Sequence, residues 1–372
     1  MKAKVTAAVL TAARKIEIRE FEKPELGAKD FLMKVKYCGI CGSDVHLWEG
    51  HWNPAYPMIL GHEFVGEVAD AGSEALEWRQ LREGDQIAVE MIVPCHECEL
   101  CRAGYYNLCV LDDRSASPER GVEYGCNIPI TRAPTPLWGG YAQYLYVPQN
   151  AIVHRFEDRV VWEEAALTEP LAVSARAVKR GNVQAGDSVV IVGPGPIGLL
   201  AVVAAKTLGA QPIILSGTRD NRLKVGEALG ADHTVNVTQV PNPVEEVRKL
   251  TGGWGADIVI ETAGTIKAQA QSLRMARKAG RVVFAGLTGG ENLTIDVNAD
   301  LMGKELNVNA SFLSAHAYQD AIKIIQSRRF ALKNLITHIY PLRDVEKAFQ
   351  TVTKREENAI KVLLDPWAPA AD

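Results

Sequence analysis

Four cysteines of this chain lie within fifteen positions, spaced as Cys95-x2-Cys98-x2-Cys101-x7-Cys109. Thiolates in such a tight turn can face one tetrahedral ion, and a fourth thiolate from a short returning loop completes the ligand set without leaving room for water. The spacing predicts a structural zinc site. Buried or redox-active thiols are the alternative. A nucleic-acid-binding zinc ribbon fits poorly, because basic neighbours are lacking.

A second group of residues supplies metal ligands of mixed type. Cys41 lies in the segment Gly39-Ile-Cys-Gly-Ser-Asp-Val-His46, and His62 lies in Gly61-His-Glu63. One thiolate, one imidazole and a carboxylate would leave an open coordination position for a hydroxyl oxygen. Zinc in such a site is a Lewis acid that lowers the pKa of a bound alcohol or water towards about 7. The set indicates a catalytic metal, although a lone Gly-His-Glu is more often a turn with a solvated histidine.

A glycine-rich turn lies between an apolar stretch and an Ala/Leu-rich one. It reads Gly193-Pro-Gly195-Pro196-Ile197-Gly198 and follows Val189–Val192. Glycines at these positions allow the backbone to approach a pyrophosphate closely, at the N-terminus of the helix that follows. A plain glycine turn is the alternative, but the strand-turn-helix context favours dinucleotide binding.

The residues beyond this turn bear on which dinucleotide binds. NAD enzymes normally carry an acidic side chain for the adenosine ribose about twenty residues further on. Gly217 stands there instead, so a 2′-phosphate meets no repulsion; this favours NADP, with NAD or relaxed use as the alternative. The polar residues that could hold the phosphate are Ser216, Thr218, Arg219 and Arg222. Residues at later strand ends that we expect to line the cofactor are Thr262, Gly286 and Leu287.

The pattern of apolar and turn-forming residues along the chain predicts which elements position these residues. Residues 1–164 carry short β-branched stretches broken by Gly, Pro and Asp, which predicts an irregular β-rich domain with the zinc lobe at about residues 93–110. In residues 165–309, apolar strands alternate with helical patterns, which predicts a βαβ series around a parallel sheet. Residues 310–372 carry two helices and a strand, and we expect them to rejoin the first domain. The predicted fold class is α/β.

One segment, residues 110–138, has four prolines and no clear hydrophobic period. It is predicted to be a long loop, and long loops are usually functional or mobile. We expect this one either to roof the substrate cleft or to form a subunit contact.

Composition narrows the functional classes. The net charge of −4 over 372 residues is spread without long runs of one sign, which argues against nucleic acid and membrane surfaces as partners. Apolar runs are too short for a membrane span and do not resemble a signal peptide, so we expect a cytoplasmic protein. Seven cysteines in such a chain indicate metal binding more than disulfides.

Five motifs, in this order, resemble the zinc-containing medium-chain dehydrogenases, in particular their sorbitol/polyol branch. They are the Gly39–His46 segment, Gly-His-Glu at 61–63, the four-cysteine lobe, Thr168-Glu169-Pro-Leu171 and the glycine turn. The resemblance covers nearly the whole chain. It implies a GroES-like catalytic domain that is discontinuous in sequence, a Rossmann domain between its parts, and a cleft where the two meet.

The resemblance also implies a role for each metal-site residue. Cys41 and His62 match the catalytic zinc ligands, and Glu63 matches an adjacent carboxylate that can coordinate or exchange with water. Glu169 stands where polyol dehydrogenases have glutamate and many simple-alcohol dehydrogenases have cysteine. A carboxylate is a harder and more mobile ligand, so it admits water and a second substrate oxygen, which favours a vicinal diol or polyol.

Proton transfer is implied for the residues that follow Cys41. Ser43 would accept the substrate hydroxyl proton and relay it through the nicotinamide ribose to His46 and on to water. Asp44 would accept a hydrogen bond from the His62 ring and fix its tautomer. We expect Cys38 to be a buried bystander and Cys126 a free thiol.

These predictions combine into one expected enzyme. It is a zinc-dependent, NAD(P)-linked dehydrogenase with two zinc ions per chain, which oxidises a secondary alcohol of a polyol, sugar or diol to a ketone, or catalyses the reverse. The resemblance suggests a homodimer or homotetramer. Alternatives are a threonine-type or simple-alcohol dehydrogenase of the same family, and an inactive zinc-stabilised binding protein.

Overall fold

The computed structural model describes residues 4–110 and 122–369. Contacts divide the chain into two units, which are Met1–Glu169 with Ile336–Asp372 (unit 1) and Pro170–Leu335 (unit 2). Within the described residues, no helix has both the length and the apolar character that a membrane span requires.

The described residues form strands and α-helices in the following chain order. The strands are β1 (Lys4–Ala12), β2 (Lys15–Glu22), β3 (Phe31–Gly39), β4 (Met58–Ile59), β5 (Glu63–Ala71), β6 (Gln86–Val89), β7 (Ile92–Val93), β8 (Val122–Glu123), β9 (Tyr144–Val147), β10 (Val153–Arg155), β11 (Val189–Val192), β12 (Ile213–Gly217), β13 (His233–Asn236), β14 (Ala256–Glu261), β15 (Ala276–Phe284), β16 (Asn307–Ala310), β17 (Ile336–Pro341) and β18 (Lys361–Asp365). The α-helices are α1 (Gly42–Glu49), α2 (Ala75–Arg79), α3 (Glu99–Arg102), α4 (Trp162–Ala165), α5 (Thr168–Arg180), α6 (Pro196–Thr207), α7 (Asp220–Leu229), α8 (Pro243–Leu250), α9 (Ile266–Met275), α10 (Tyr318–Gln326) and α11 (Val345–Lys354).

The return of the chain to unit 1 begins later than predicted. We expected it at residue 310, but it begins at Ile336. Side chains of α5 hold the intervening residues in unit 2, since Arg176 Nη1 donates to the Ala315 carbonyl at 2.7 Å and Arg180 Nε to the Ala310 carbonyl at 3.1 Å. The predicted first boundary, at residue 164, lies just before α5, in which unit 1 ends.

Unit 1 is β-rich, and its largest sheet has the order β10-β6-β5-β3-β18-β17, with β9 also paired to β3. The C-terminal strand β18 lies antiparallel to β3, where Leu364 is opposite Cys38. Strand β3 also pairs with β5, where Gly39 is opposite Glu63. These pairings bring the segment before Cys41, the Gly-His-Glu motif and the C-terminal strand together.

The described part of the predicted long loop, residues 122–138, is mostly irregular but packs into the core of unit 1. Its strand β8 pairs with β7, and Tyr124, Leu137 and Trp138 are at most 1% exposed in the core of unit 1. The large aromatic side chains explain this packing, since their burial stabilises this segment against the sheet. Residues 111–121, on which the predicted roof or subunit contact also depends, lie outside the described residues.

Unit 2 contains the predicted doubly wound parallel sheet, which is confirmed. Its order is β13-β12-β11-β14-β15-β16, and its strand pairings are parallel. Strand β11 is an entirely buried Val-Val-Ile-Val run, as is usual for parallel strands covered on both faces. The chain continues from β11 to β12 on one side, and β14 lies on the other. Ligands bind beyond the carboxyl ends of the strands at such a reversal.

Candidate active site

Three predicted metal ligands converge in unit 1. Donor atoms of Cys41, His62 and Glu63 all lie within 4.8 Å of one another. Cys41 immediately precedes α1, and Glu63 is the first residue of β5. His62 and Glu63 are 3% and 1% exposed. Residues that are distant in sequence thus form a compact donor set, in which His62 and Glu63 are buried and Cys41 is half-buried.

Glu169 is the fourth predicted ligand and lies at the start of α5. It is 5% exposed. Burial raises the pKa of its carboxyl to about 8, and the charges of Glu63 and Asp44 act in the same direction, while His62 and Lys361 oppose them. Glu169 is not one of the three residues with donor atoms inside 4.8 Å. A half-buried thiol together with a buried imidazole and two buried carboxyls fits zinc, whose charge would offset the desolvation of these groups.

The imidazole of His62 has a distinct neighbour on each side. Its Nε2 lies 3.4 Å from Ser43 Oγ. Its Nδ1 lies 3.5 Å from Asp44 Oδ1 and 3.5 Å from Cys126 Sγ. Burial lowers the pKa of His62. Cys126 and Asp44 together raise it by a larger amount, so the net shift of the pKa is upward. Asp44 thus stands where an acceptor for this ring was predicted.

Cys126 is a neighbour that sequence reasoning missed. Cys126 is a free thiol, as we expected, but its Sγ also lies 3.5 Å from the ring of a candidate ligand, His62. The two residues are 64 positions apart, and Cys126 lies in a segment without a hydrophobic period, so no sequence signal joined them. Cys38 is buried, as we expected.

Ser43 and His46 lie three positions apart on α1, which places both on one face of the helix. The ring of His46 stacks on Trp52 at a centroid distance of 4.8 Å. Its Nδ1 lies 3.4 Å from His51 Nδ1. Ser43 is therefore the member of the pair that contacts the metal-site imidazole, whereas His46 contacts a partly exposed aromatic and a second histidine.

A buried cation also adjoins the site and was not predicted. Lys361 Nζ donates to Glu63 Oε2 at 2.5 Å and to the Ile40 carbonyl at 3.1 Å. Lys361 is 2% exposed. This ion pair could not be predicted from the sequence, because it depends on β18 lying beside β3.

The four-cysteine lobe forms a second compact donor set. The sulfur atoms of Cys95, Cys98, Cys101 and Cys109 all lie within 4.8 Å of one another. Cys95 Sγ and Cys101 Sγ are 3.9 Å apart, close to the roughly 3.8 Å that tetrahedral zinc–sulfur bonds require. Backbone N–H groups donate to several of these sulfurs, and the N–H of Cys101 lowers the pKa of Cys98 to about 7. The geometry fits a structural zinc ion.

The glycine turn in unit 2 connects β11 to α6. Gly193 has a φ of +106°, and a Cβ on Gly198 would lie 1.9 Å from the Gly193 carbonyl oxygen. A Cβ on Gly195 would meet nothing within 4 Å, so open space adjoins the helix N-terminus, where Pro196 is the first helical residue and Ile197 the second. Such a cradle fits a pyrophosphate.

Gly217 ends β12 next to this turn. A Cβ there would lie 2.2 Å from Pro194 Cδ, so this position has no room for an acidic side chain. Ser216 is buried, and its Oγ has no hydrogen-bond partner in the part of the chain that the structure describes. Thr218 is exposed, Arg219 precedes α7, and Arg222 is half-buried within it.

The later predicted cofactor residues also lie at strand ends of unit 2. Thr262 Oγ1 donates to the carbonyls of Val192 and Gly193, at 2.9 and 3.0 Å. Gly286 follows β15, and Leu287 beside it is 62% exposed. A large exposed apolar side chain at this edge of the sheet is available to contact a ligand.

Two family models match the chain. Residues 27–158 match the alcohol dehydrogenase GroES-like domain, and residues 196–327 match the zinc-binding dehydrogenase model. The predicted GroES-like and Rossmann fold class is therefore confirmed.

Named relatives and solved structures match nearly the whole chain. The sorbitol dehydrogenase of Bacillus subtilis is 32% identical over 97% of each chain. The erythritol/L-threitol dehydrogenase of Mycolicibacterium smegmatis is 33% identical over 98% of each. A Sinorhizobium meliloti zinc-binding dehydrogenase bound to NADP has a TM-score of 0.84 and 30% identity, covering 98% of this chain and all of its own. An Escherichia coli alcohol dehydrogenase complexed with NADH has a TM-score of 0.84 and 27% identity, covering 98% of this chain and 99% of its own.

These matches agree with the zinc-type donor sets and the dinucleotide-type turn, and they remove the inactive binding protein from consideration. The chain belongs to the zinc-containing medium-chain alcohol/polyol dehydrogenase family and is an oxidoreductase that acts on CH–OH groups.

Proposed function

We propose that this chain oxidises a secondary hydroxyl of a polyol, sugar or vicinal diol to a ketone, with NADP preferred over NAD, or catalyses the reverse reaction. The observation that carries the proposal is the compact set of Cys41, His62 and Glu63, whose donor atoms lie within 4.8 Å of one another, with the buried carboxyl of Glu169 nearby. This set is mixed in type and in charge, as a catalytic rather than a structural zinc site requires.

In the proposed site, Cys41, His62 and Glu169 hold the zinc ion, with Glu63 as the adjacent carboxylate. When bound, zinc supplies Lewis acidity that lowers the pKa of a substrate hydroxyl, and the nicotinamide accepts the hydride. Asp44 fixes the orientation of the His62 ring. Lys361 neutralises Glu63 through the contact at 2.5 Å, which leaves Cys41 and Glu169 to balance the charge of the metal.

Two residues of α1, Ser43 and His46, are proposed to remove the proton of the substrate hydroxyl. Ser43 receives the proton of the substrate hydroxyl, since its Oγ already lies 3.4 Å from the ligand ring of His62. His46 accepts the proton at the far end of the relay and passes it to water, because an imidazole ring can both accept and donate a proton.

The four-cysteine lobe is proposed to hold a second zinc ion with a purely structural role. Four thiolates complete a tetrahedral shell and leave no position for substrate. The lobe is fixed to unit 1 through His96 Nε2, which lies 2.9 Å from the Asn150 carbonyl, and through Asn150 Nδ2, which donates to the Pro94 carbonyl at 2.9 Å.

The cofactor preference follows from the end of β12. Gly217 offers no carboxylate to the adenosine ribose, and Pro194 leaves no room for one. Arg219 and Arg222 supply positive charge near this position, with Ser216 and Thr218 as hydrogen-bonding groups. Gly193, Gly195 and Gly198 form the pyrophosphate cradle, and Thr262, Gly286 and Leu287 extend the binding surface.

The substrate class follows from Glu169, and polyols are also named as substrates of the two relatives. A carboxylate ligand tolerates a second substrate oxygen at the metal better than a thiolate does. We also propose that the chain assembles as a homodimer or homotetramer and acts in the cytoplasm on small molecules.

A substrate panel tests the proposal. Polyols, vicinal diols, monohydric secondary alcohols and threonine are each assayed with NAD and NADP by the absorbance of the reduced nicotinamide. We expect kcat/KM for a vicinal diol to exceed that for the matched monohydric alcohol by about tenfold or more, which corresponds to about 1.4 kcal/mol. Glu169→Cys serves as the matched variant, and it should reduce the ratio of kcat/KM for the diol to kcat/KM for the monohydric alcohol. Equal kcat/KM for both alcohols, or a clear preference for threonine, contradicts the substrate assignment.

A further inference from the structure

A buried carboxyl in unit 2 has no part in the chemistry described above. Glu261 ends β14 and is 0% exposed. Its Oε1 accepts hydrogen bonds from the backbone N–H groups of Ala263 and Gly264, at 2.7 and 2.8 Å. Among the described residues, Oε2 has no hydrogen-bond partner of good geometry, but it faces Gly286, whose backbone N–H lowers the pKa of this carboxyl and on which a Cβ would lie 2.9 Å from Oε2. One side chain thus contacts the turns after both β14 and β15.

Glu261 lies beside the last residue of β11, the strand that leads into the glycine turn. In the parallel register, Val192 is directly opposite both Ser216 of β12 and Glu261 of β14. Val192 immediately precedes Gly193. The carboxyl is therefore one strand away from the proposed pyrophosphate cradle, at the edge of the sheet where dinucleotides bind.

Three turns meet at this edge with almost no space between their backbones. A Cβ on Gly193 would lie 2.8 Å from the Cα of Ala263, and a Cβ on Gly264 would lie 2.4 Å from the Leu287 carbonyl oxygen. A Cβ on Gly286 would lie 2.3 Å from the Gly264 nitrogen. Because the turns pack this closely, a shift of residues 263–264 must displace both neighbours.

We propose that Glu261 is a positioning residue that fixes the cofactor-binding surface by holding the turn at 263–264 against the glycine turn and the turn at 286–287. The inference rests on the proposed cofactor role of these turns. Glu261 itself need not touch the dinucleotide. The two hydrogen bonds that its Oε1 accepts determine where the N–H donors of Ala263 and Gly264 lie, and these residues in turn limit the positions of Gly193 and Leu287.

The test compares dissociation constants for NADPH and NADH, measured by fluorescence titration of the zinc-loaded protein. We expect Glu261→Leu to raise the Kd of the preferred dinucleotide by at least about tenfold, with unchanged zinc content. Glu261→Gln retains an oxygen that accepts both N–H groups and should stay within about threefold of the wild type. Amide hydrogen exchange at residues 263 and 264 should quicken in Glu261→Leu but not in Glu261→Gln.

Asp257 provides a matched control at the other end of β14. Its carboxylate also accepts several hydrogen bonds, from the backbone N–H and the hydroxyl of Ser188 and from Arg277 Nε. Asp257→Asn should lower the stability of unit 2 without changing the Kd. Should Glu261→Leu not fold, Glu261→Asp replaces it, because the shorter side chain cannot hold both amides in place, and its Kd should rise at least about threefold.

Two results overturn the inference. One is a folded Glu261→Leu or Glu261→Asp protein whose Kd stays within about twofold of the wild type. The other is a loss of affinity in Asp257→Asn as large as that in Glu261→Leu, which would indicate general loosening of the sheet. Failure of the wild type to bind either dinucleotide contradicts the proposed function instead.

Discussion

The ammonium group of Lys361 donates to the carboxylate of Glu63 across 2.5 Å, although the two residues are 298 positions apart in the chain. The contact joins the C-terminal strand to the Gly-His-Glu motif inside the core of unit 1. Both side chains are almost completely buried, at 2% and 1% exposed. The last strand of the chain therefore takes part in the charge balance of the candidate metal site.

Replacing Lys361 by Met should destabilise unit 1 strongly. It leaves the Glu63 carboxylate buried without its cation, and such a loss costs about 3–5 kcal/mol. Urea unfolding of the zinc-loaded protein measures the difference. Lys206→Met breaks a partly exposed pair with Asp232 and should cost about 1 kcal/mol or less. Equal losses in the two variants would contradict the importance of the buried pair.

Asp44→Asn should weaken zinc retention at the candidate catalytic site. A hydrogen-bond partner of a ligand histidine typically contributes about 10- to 100-fold in metal affinity. The rate of zinc release to a chelator measures the effect. Cys126→Ser is the matched variant at the same His62 nitrogen, and it should stay within about threefold of the wild type because a thiol is a weak hydrogen-bonding group. A larger effect of Cys126→Ser than of Asp44→Asn would reverse these assignments.

The stability of the cofactor-free protein should depend on the ionisation of Glu261. Burial raises the pKa of its carboxyl from 4.5 to about 7. A raised pKa means that its stabilising contribution is complete below about pH 4.5 and is lost as the pH rises through about 7. The difference between these pKa values corresponds to about 3 kcal/mol.

Urea unfolding of the wild type and Glu261→Gln at several pH values checks this expectation. The amide does not ionise, so the free energy of unfolding of the wild type should fall relative to that of the variant between about pH 4.5 and 8. A difference that stays constant over this range would show that Glu261 does not titrate there.

Cofactor preference should depend on the basic residues after β12. We expect a higher kcat/KM with NADP than with NAD, and Arg219→Ala should reduce this ratio by about tenfold, as the loss of a charge-assisted hydrogen bond to a phosphate would. Arg248→Ala, which removes an exposed guanidinium paired with Glu245, should leave the ratio unchanged. A tenfold NAD advantage in the wild type contradicts the preference for NADP.

The motifs with fixed local spacing could be predicted from the sequence. The four cysteines and the glycine turn each lie within one turn or a short loop, so their spacing alone determines which atoms can meet. The doubly wound sheet could be predicted because its buried strands, such as Val189–Val192, are continuous apolar runs.

Contacts that depend on strand pairing could not be predicted in this way. Lys361 meets Glu63 only because β18 lies beside β3, and Cys126 meets His62 only because residues 122–138 enter the core. In the sequence, Lys361 is one basic residue of a strand and Cys126 one cysteine in a segment without a period. The start of the second segment of unit 1, at Ile336 rather than residue 310, also could not be predicted. It depends on long-range contacts, since Arg176 and Arg180 bind carbonyls more than a hundred positions away.

Zinc analysis combined with activity tests the central claim most directly. The purified protein should contain two zinc ions per chain, and mild chelation should remove one of them together with polyol dehydrogenase activity, which added zinc restores. Cys41→Ser should lose that ion and the activity, whereas Cys98→Ser should lose the other ion and stability. A chain that holds only one, non-exchanging zinc ion and keeps full activity after chelation would contradict the account.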